Sequence, residues 1–79
     1  MKTDRDRIEE VAMALLSLTM FEDRGVTRVW KGIDWDVLDA LHARGWISDP
    51  KSRARSVVVS PEGVSAAREL FRKHFEVAD

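Results

Sequence analysis

The chain has 79 residues, with 13 basic and 14 acidic side chains, a net charge of −1 and no cysteine. This length leaves room for one domain with one small core, and the missing cysteine excludes disulfides and thiolate metal sites. A charge so close to zero provides no overall basic field that would draw the chain to nucleic acid or to an anionic membrane.

The N-terminal segment is charged rather than apolar. A secretory signal needs an apolar stretch directly behind its basic start, and residues 2–10 do not provide one. The longest apolar-rich run, residues 11–21, contains Ser17 and Thr19 and is too short to span a bilayer. The sequence therefore predicts a cytoplasmic protein that makes no membrane contact.

Apolar residues recur at spacings of three and four in the first quarter of the chain, which is typical of a helix packed on a core. We predict a helix over residues 4–21, with Thr3 as its N-cap. The stripe predicted to face the core consists of Ile8, Val11, Ala12, Leu15 and Leu18.

The same helix carries a second, adjacent apolar stripe, which consists of Met13, Leu16 and Met20. A helix that is apolar on most of its circumference is usually covered on both sides. We therefore predict that the second stripe contacts a partner, such as a second copy of the chain in a homodimer. The alternative is that the last helix and the sheet cover both stripes.

Shorter signals follow in the middle of the chain. Residues 26–30 are β-branched and aromatic and lie between two glycines, which indicates a short strand. Asp34 suits the N-cap of a helix over residues 34–44, and Gly45 suits the left-handed position after its end.

The last third of the chain predicts a hairpin and a helix. A turn at residues 48–50 and a basic tip precede residues 56–59, the strongest strand signal in the sequence, so we predict a β-hairpin over residues 46–59. Ser60 and Pro61 are typical of the start of a helix, predicted here over residues 61–76. Gly63 would weaken that helix, which indicates a close approach to the sheet or to the first helix.

These elements predict an α+β fold, a single domain over residues 1–79 with three helices and a small antiparallel sheet in the order α-β-α-β-β-α. Strands are expected near 27–30, 46–48 and 56–59. The predicted core consists of Ile8, Val11, Leu15, Leu18, Leu38, Leu41, Ile47, Val57, Val59, Val64, Leu70 and Phe71.

Two stretches of the sequence carry a family resemblance. LDALHARGWIS, then a charged hairpin, then VVVSPEG at the start of a long helix, resembles the recognition helix, wing and following helix of bacterial winged-helix proteins. The stretch WKGIDWDVLDALHARGWISDP is similar to a family of small uncharacterised bacterial proteins. The resemblance implies a winged-helix-like fold and no known activity.

The chain departs from a DNA-reading winged helix in two ways. Such a domain has a positioning helix before its recognition helix, whereas the residues available for it here predict a strand. The helix that would enter the major groove carries Asp34, Asp36 and Asp39, and three carboxylates would be repelled by the phosphates of the groove walls.

No set of residues predicts catalysis or a cofactor. His42 and His74 are far apart in the sequence and lack the neighbours of a metal site, and no serine lies in a nucleophile-elbow pattern. Asp34 and Asp36 diverge by about 200° around a helix, which disfavours a shared ion. We therefore predict no enzymatic activity, no metal site and no cofactor.

A basic group at the predicted hairpin tip is the first candidate for binding. Lys51, Arg53 and Arg55 alternate along the chain, so they project together if the tip is extended. They either contact phosphate or an acidic partner, or they form a solvated β edge.

The three tryptophans, Trp30, Trp35 and Trp46, exceed the needs of so small a core. Two are expected to pack on it, and the remaining indole either covers the edge of the core or anchors a partner. We place Trp35 in the predicted protein interface together with the second stripe of the first helix.

The sequence thus predicts a non-enzymatic binding or assembly module that acts through protein–protein contacts, as a homodimer or with another protein. The alternative is a nucleic-acid-binding transcriptional regulator of the winged-helix type. With only three basic side chains at the tip, binding to nucleic acid would be weak and salt-sensitive.

Overall fold

A computed structural model describes residues 3–78 of the chain. Its helices and strands, in chain order, are α1 (Arg5–Leu16), a short 3-10 helix (Ser17–Thr19), β1 (Phe21–Asp23), β2 (Val26–Trp30), α2 (Trp35–Ala43), β3 (Ser56–Val58) and α3 (Pro61–Phe75). The three strands form one antiparallel sheet in the order β1-β2-β3. The predicted α+β fold with three helices and a small antiparallel sheet is confirmed.

Each α-helix begins at a side chain that accepts hydrogen bonds from the first backbone N–H groups. Asp34 accepts from the N–H groups of Asp36 and Val37, and Ser60 accepts from that of Gly63, as predicted. The N-cap of α1 is Asp4 rather than the predicted Thr3, because the helix begins one residue later and the Asp4 carboxylate reaches the Arg7 N–H at 3.0 Å.

The first helix is shorter than predicted and a β-hairpin follows it. α1 ends at Leu16, and residues 21–23, expected at the helix end, pair with β2 instead. The two-residue turn between the strands has positive φ at both positions, 54° at Arg24 and 80° at Gly25. Such a turn matches the twist of an antiparallel pair. The element order is therefore α-β-β-α-β-α: residues 21–23 form a strand that was not predicted, and the strand predicted at 46–48 is reduced to the isolated Ile47–Val59 bridge.

The hairpin predicted over residues 46–59 is present mainly at its base. Ile47 forms an isolated antiparallel bridge with Val59, and the Ser48 N–H donates to the Val58 carbonyl at 2.9 Å. Residues 49–55 leave the sheet as a loop. After this loop the chain re-enters the sheet as β3, which pairs with β2.

The core lies between the inner face of the sheet and the three helices. Val29 and Val57, a cross-strand pair on the inner face, are fully buried. The predicted core residues of α2 and the β3 region are buried, and Val64 and Leu70 of α3 pack at the edge of the cluster. The buried cluster consists of Ala12, Met13, Val29, Val37, Leu38, Leu41, Ile47, Val57, Val59 and Ala67.

The buried face of α1 differs from the predicted one, although Ala12 of the predicted core stripe is buried and Val11 is half-buried. Met13 is fully buried, whereas Leu15 is 48% exposed, and about 200° of helix separates these two positions. The predicted core residues Ile8 and Leu18 are also exposed. Leu16 and Met20, predicted to meet a partner, instead pack against the core.

Ion pairs flank the side of α1 that faces inward. Glu9 accepts from Arg44, which follows α2, at 2.8 Å, and Glu10 lies 3.0 Å from Lys73 on α3. Met13 falls between the directions of these two carboxylates, at about 140° when Ile8 is set at 0°. The helix therefore buries the face that places both carboxylates beside basic partners.

Gly63 is required by a close approach, as its position in a helix indicated. A Cβ on Gly63 would overlap the carbonyl oxygen of Trp46 and lie 2.9 Å from the Val59 side chain. Because the obstacle is backbone held by the Ile47–Val59 bridge and by the bond from the Ser60 N–H to the Trp46 carbonyl, the site has little room to relax.

We therefore expect Gly63→Ala to destabilise the fold by about 1–3 kcal/mol, even though alanine favours helix. Urea unfolding followed by circular dichroism measures the change. Gly32→Ala is the matched control, since nothing lies within 4 Å of a Cβ there, and it should be close to neutral. Equal stability of Gly63→Ala and the wild type would contradict the described packing.

Candidate functional site

The two histidines serve structural contacts. His42 Nδ1 lies 2.9 Å from the Ile47 carbonyl oxygen and donates to it, which ties α2 to the bridge region. His74 Nε2 lies 3.1 Å from Glu10. Among residues 3–78, no group of three or more His, Asp or Glu side chains is arranged to hold a metal ion.

Glu10 is the centre of the contact between α1 and α3. Its carboxylate receives Lys73 Nζ at 3.0 Å and lies beside His74. The hydrogen bonds from Lys73 and then His74 lower the pKa of Glu10 below its ordinary value, against a smaller effect of burial. The carboxylate is thus stabilised in its charged form by the native arrangement.

The other side of α1 carries the outer stripe, defined here as Ile8, Val11 and Leu15 of α1 with Leu18 of the 3-10 helix that follows. Ile8, Leu15 and Leu18 are 36%, 48% and 67% exposed. Ile8, Val11 and Leu15 line an apolar groove together with Ile33. Asp4 and Arg7 lie at the end of this groove near the N-terminus of α1. Isolated exposed leucines are ordinary, but a contiguous apolar stripe is typical of an interaction surface.

The residues predicted to form a protein interface are therefore partly buried and partly exposed. Met13 is inaccessible and Leu16 and Met20 are half-buried against the core, so the second stripe is not an exposed surface. Trp35 is 57% exposed at the start of α2. The sequence signal for two apolar faces was correct, but apolar spacing alone could not identify which face was outside.

The predicted basic residues Lys51, Arg53 and Arg55 are all exposed, on the loop rather than on an extended hairpin tip. The loop is fastened to the end of β2, since the Lys31 N–H donates to the Arg55 carbonyl at 3.1 Å and Lys31 Nζ donates to the Ser52 carbonyl at 2.7 Å. This attachment brings the basic loop close to Trp35 and to the end of β2 that carries Trp30, which the sequence alone did not indicate.

The tryptophans also divide into two kinds. Trp46 is half-buried, and the Arg44 guanidinium lies 4.9 Å from its ring. Trp30 and Trp35 are both more than half exposed. Two indoles, rather than one, are thus free of the core.

The sequence comparison supplies the family. Residues 4–77 match a domain of unknown function, DUF6429. The chain belongs to this family. The DUF6429 match includes all three helices and the whole sheet, which agrees with the resemblance to small uncharacterised bacterial proteins.

An uncharacterized protein of Sinorhizobium fredii, y4hR, is similar to this chain over most of its length. The two are 43% identical over 75 residues, which cover 95% of this chain and 97% of the relative. No solved structure matches this DUF6429 chain. Within the residues described, no helix has the length and apolar character needed to cross a membrane.

The lowered pKa of Glu10 predicts how stability depends on pH. The charged Glu10 contributes to the free energy of unfolding, and this contribution is fully present above the ordinary pKa of 4.5. It is lost as pH falls through the lower pKa of the folded state, because the unfolded chain takes up the proton first. Glu10→Gln should therefore lower the urea midpoint at neutral pH, and its difference from the wild type should shrink in acid.

Glu69→Gln is the control for this measurement, since Glu69 is exposed and pairs with Arg72 of its own helix. It should have little effect at either pH, because exposed pairs contribute little. An effect of Glu10→Gln that is unchanged in acid would contradict the assignment.

Proposed function

We propose that the protein is a non-enzymatic binding or assembly module that acts through protein–protein contacts, and that the outer stripe of α1 is its contact surface. The observation that supports this proposal is the exposure of large apolar side chains on the side of α1 that faces away from Met13. Their transfer from water into an interface would be favourable by about 25 cal/mol per Å² of apolar surface.

A second copy of the chain is the occupant that the spacing favours. The outer stripe has intervals of three, four and three residues, which is the narrow a/d seam of two paired helices. The seam is about 15 Å long at 1.5 Å per residue, which is short for a stable interface. We therefore expect a homodimer that dissociates on dilution rather than a permanent one.

The charges at the groove favour an antiparallel pair. Arg7 lines the groove near the N-terminus of α1, and the last turn of α1 has no basic residue. In an antiparallel pair, Arg7 approaches the negative end of the partner's helix dipole. In a parallel pair, the two Arg7 side chains would approach each other.

Leu15→Glu tests the surface. Because Leu15 is exposed in the single chain, the substitution should preserve the helix signal in circular dichroism and reduce the mass in light scattering to that of one chain. Ser65→Glu, on the exposed part of α3, introduces the same charge elsewhere and should leave association unchanged.

Met13→Glu separates the two faces of α1. Met13 is fully buried, so a carboxylate there should unfold the protein rather than dissociate it. A wild-type chain that stays monomeric at the highest soluble concentration would contradict the homodimer, and folded, monomeric Met13→Glu would restore the second stripe as the interface.

Disulfide trapping tests the orientation, because the chain has no native cysteine. In an antiparallel pair Ile8 lies beside Leu18 of the second copy. A mixture of Ile8→Cys and Leu18→Cys chains should therefore form mixed disulfides on mild oxidation, while each variant alone should not. A parallel pair would give the opposite result.

A nucleic-acid-binding regulator is the second candidate, favoured by the exposed basic loop. Residues 25–33 contain β2 and no helix, so no positioning helix precedes α2. Asp36 and Asp39 are exposed on α2 and would repel duplex phosphates. Duplex DNA should therefore bind weakly, with a log–log salt slope no steeper than about −3 for three basic contacts.

A further inference from the structure

The end of β2 carries a second surface, which we call the indole–basic patch: Trp30, Lys31, Trp35, Lys51, Arg53 and Arg55. Trp30 is 54% exposed and Trp35 57%. Neither belongs to the buried cluster or to the side chains packed against it. Two exposed indoles on a small domain indicate an interaction surface, because tryptophan is highly buried on average.

Contacts within the structure link Lys31 to Trp35 and to the basic loop, and strand pairing links Trp30 to the end of that loop. Lys31 Nζ lies 6.0 Å from the centre of the Trp35 ring and donates to the carbonyl of Ser52, in the middle of the basic loop. Trp30 pairs with Ser56 at the end of that loop. One lysine thus connects an exposed indole to the segment that carries three exposed basic side chains.

Trp30 is held in a defined orientation. Phe21 stacks on it with ring centres 4.9 Å apart and an angle of 28° between the planes. Arg28, on the same face of β2, donates to both the hydroxyl and the carbonyl of Ser56 at 2.7 and 3.0 Å. The Phe21 stack therefore restrains the indole before any ligand arrives, which lowers the entropy lost on binding.

The loop is fixed in a similar way. The Asp49 carboxylate accepts from the Lys51 N–H at 2.9 Å, and Pro50 is fully buried. Asp49 is the loop's one acid, against three basic residues, and its side chain is used in this turn. No ion pair among residues 3–78 involves Lys51, Arg53 or Arg55.

We propose that the indole–basic patch binds single-stranded nucleic acid. The basic loop would contact phosphates, and the two exposed indoles would stack on unpaired bases. Stacking on an aromatic side chain is available to every base but requires that the base be outside a duplex. This surface is separate from the outer stripe, with which it shares no residue.

Duplex DNA fits the patch less well than a single strand. In a duplex the base faces are covered, so only the few basic side chains of the patch contribute. An acidic peptide would satisfy the basic side chains but would leave both indoles without a flat partner.

The test compares three probes against the full chain by fluorescence anisotropy at several salt concentrations. The probes are a labelled oligothymidine of about 12 nucleotides, within the usual site size, a duplex of the same length, and a polyglutamate peptide. We expect the single strand to bind more tightly than the other two and to quench tryptophan emission.

Substitutions assign the binding to the patch. Trp30→Ala and Trp35→Ala should each weaken single-strand binding by about 5- to 150-fold, the loss of one stacked base. Replacing Lys51, Arg53 and Arg55 with glutamine should make the log–log salt slope shallower by about 2. Arg68→Gln, an exposed arginine on α3, should change neither quantity.

Each other outcome overturns the proposal. Stacking on the patch would be excluded if the duplex bound as tightly as the single strand, or if only polyglutamate bound. It would also be excluded if the folded tryptophan variants kept the wild-type affinity, or if no single strand bound at low salt. Monomeric Leu15→Glu should keep single-strand binding, so the homodimer and this surface can fail separately.

Discussion

Helix α1 has apolar side chains around most of its circumference, and the rest of the chain covers only one side of it. Glu9 and Glu10 lie on neighbouring sides of the helix and pair with Arg44 and Lys73, respectively. These two contacts favour the orientation in which Met13 lies in the core and the outer stripe is exposed. The packing of α2 and α3 against α1, and the surface proposed for association, both depend on this choice.

Small residues allow α1 to approach α3 closely. Ala14 and Ala67 are fully buried, and α1 joins α3 through the Glu10 contacts. The ion pairs are partly exposed, so their Coulomb energy is modest. They favour the orientation that buries Met13, in which both carboxylates have basic partners.

The sheet separates the core from a second surface. Val29 points inward and is buried, whereas Arg28 and Trp30, its neighbours on β2, point to the outer face because side chains alternate along a strand. The loop after α2 is attached to the end of β2 through Lys31. Lys31 and Ser52, 21 positions apart in sequence, thus join the basic loop to the surface that carries Trp35.

The sequence by itself determined the local features of this protein. The caps at Asp34 and Ser60, the left-handed Gly45 and the close approach at Gly63 depend on residues near in sequence or on a single steric demand, and each was predicted correctly. Strand β3 and the apolar periodicity of α1 were also evident, because they follow from the side chains within one element.

Only the tertiary structure decided β1, the exposed face of α1 and the position of the basic loop. Residues 21–23 have no strong strand preference and become a strand because β2 offers them backbone partners. The two apolar stripes have the same local periodicity. The contacts that distinguish them are long-range: Glu9 and Arg44 are 35 positions apart in sequence, and Glu10 and Lys73 are 63 apart. Spacing along a helix reports which residues share a face, but the partner of that face is set by contacts from distant parts of the chain.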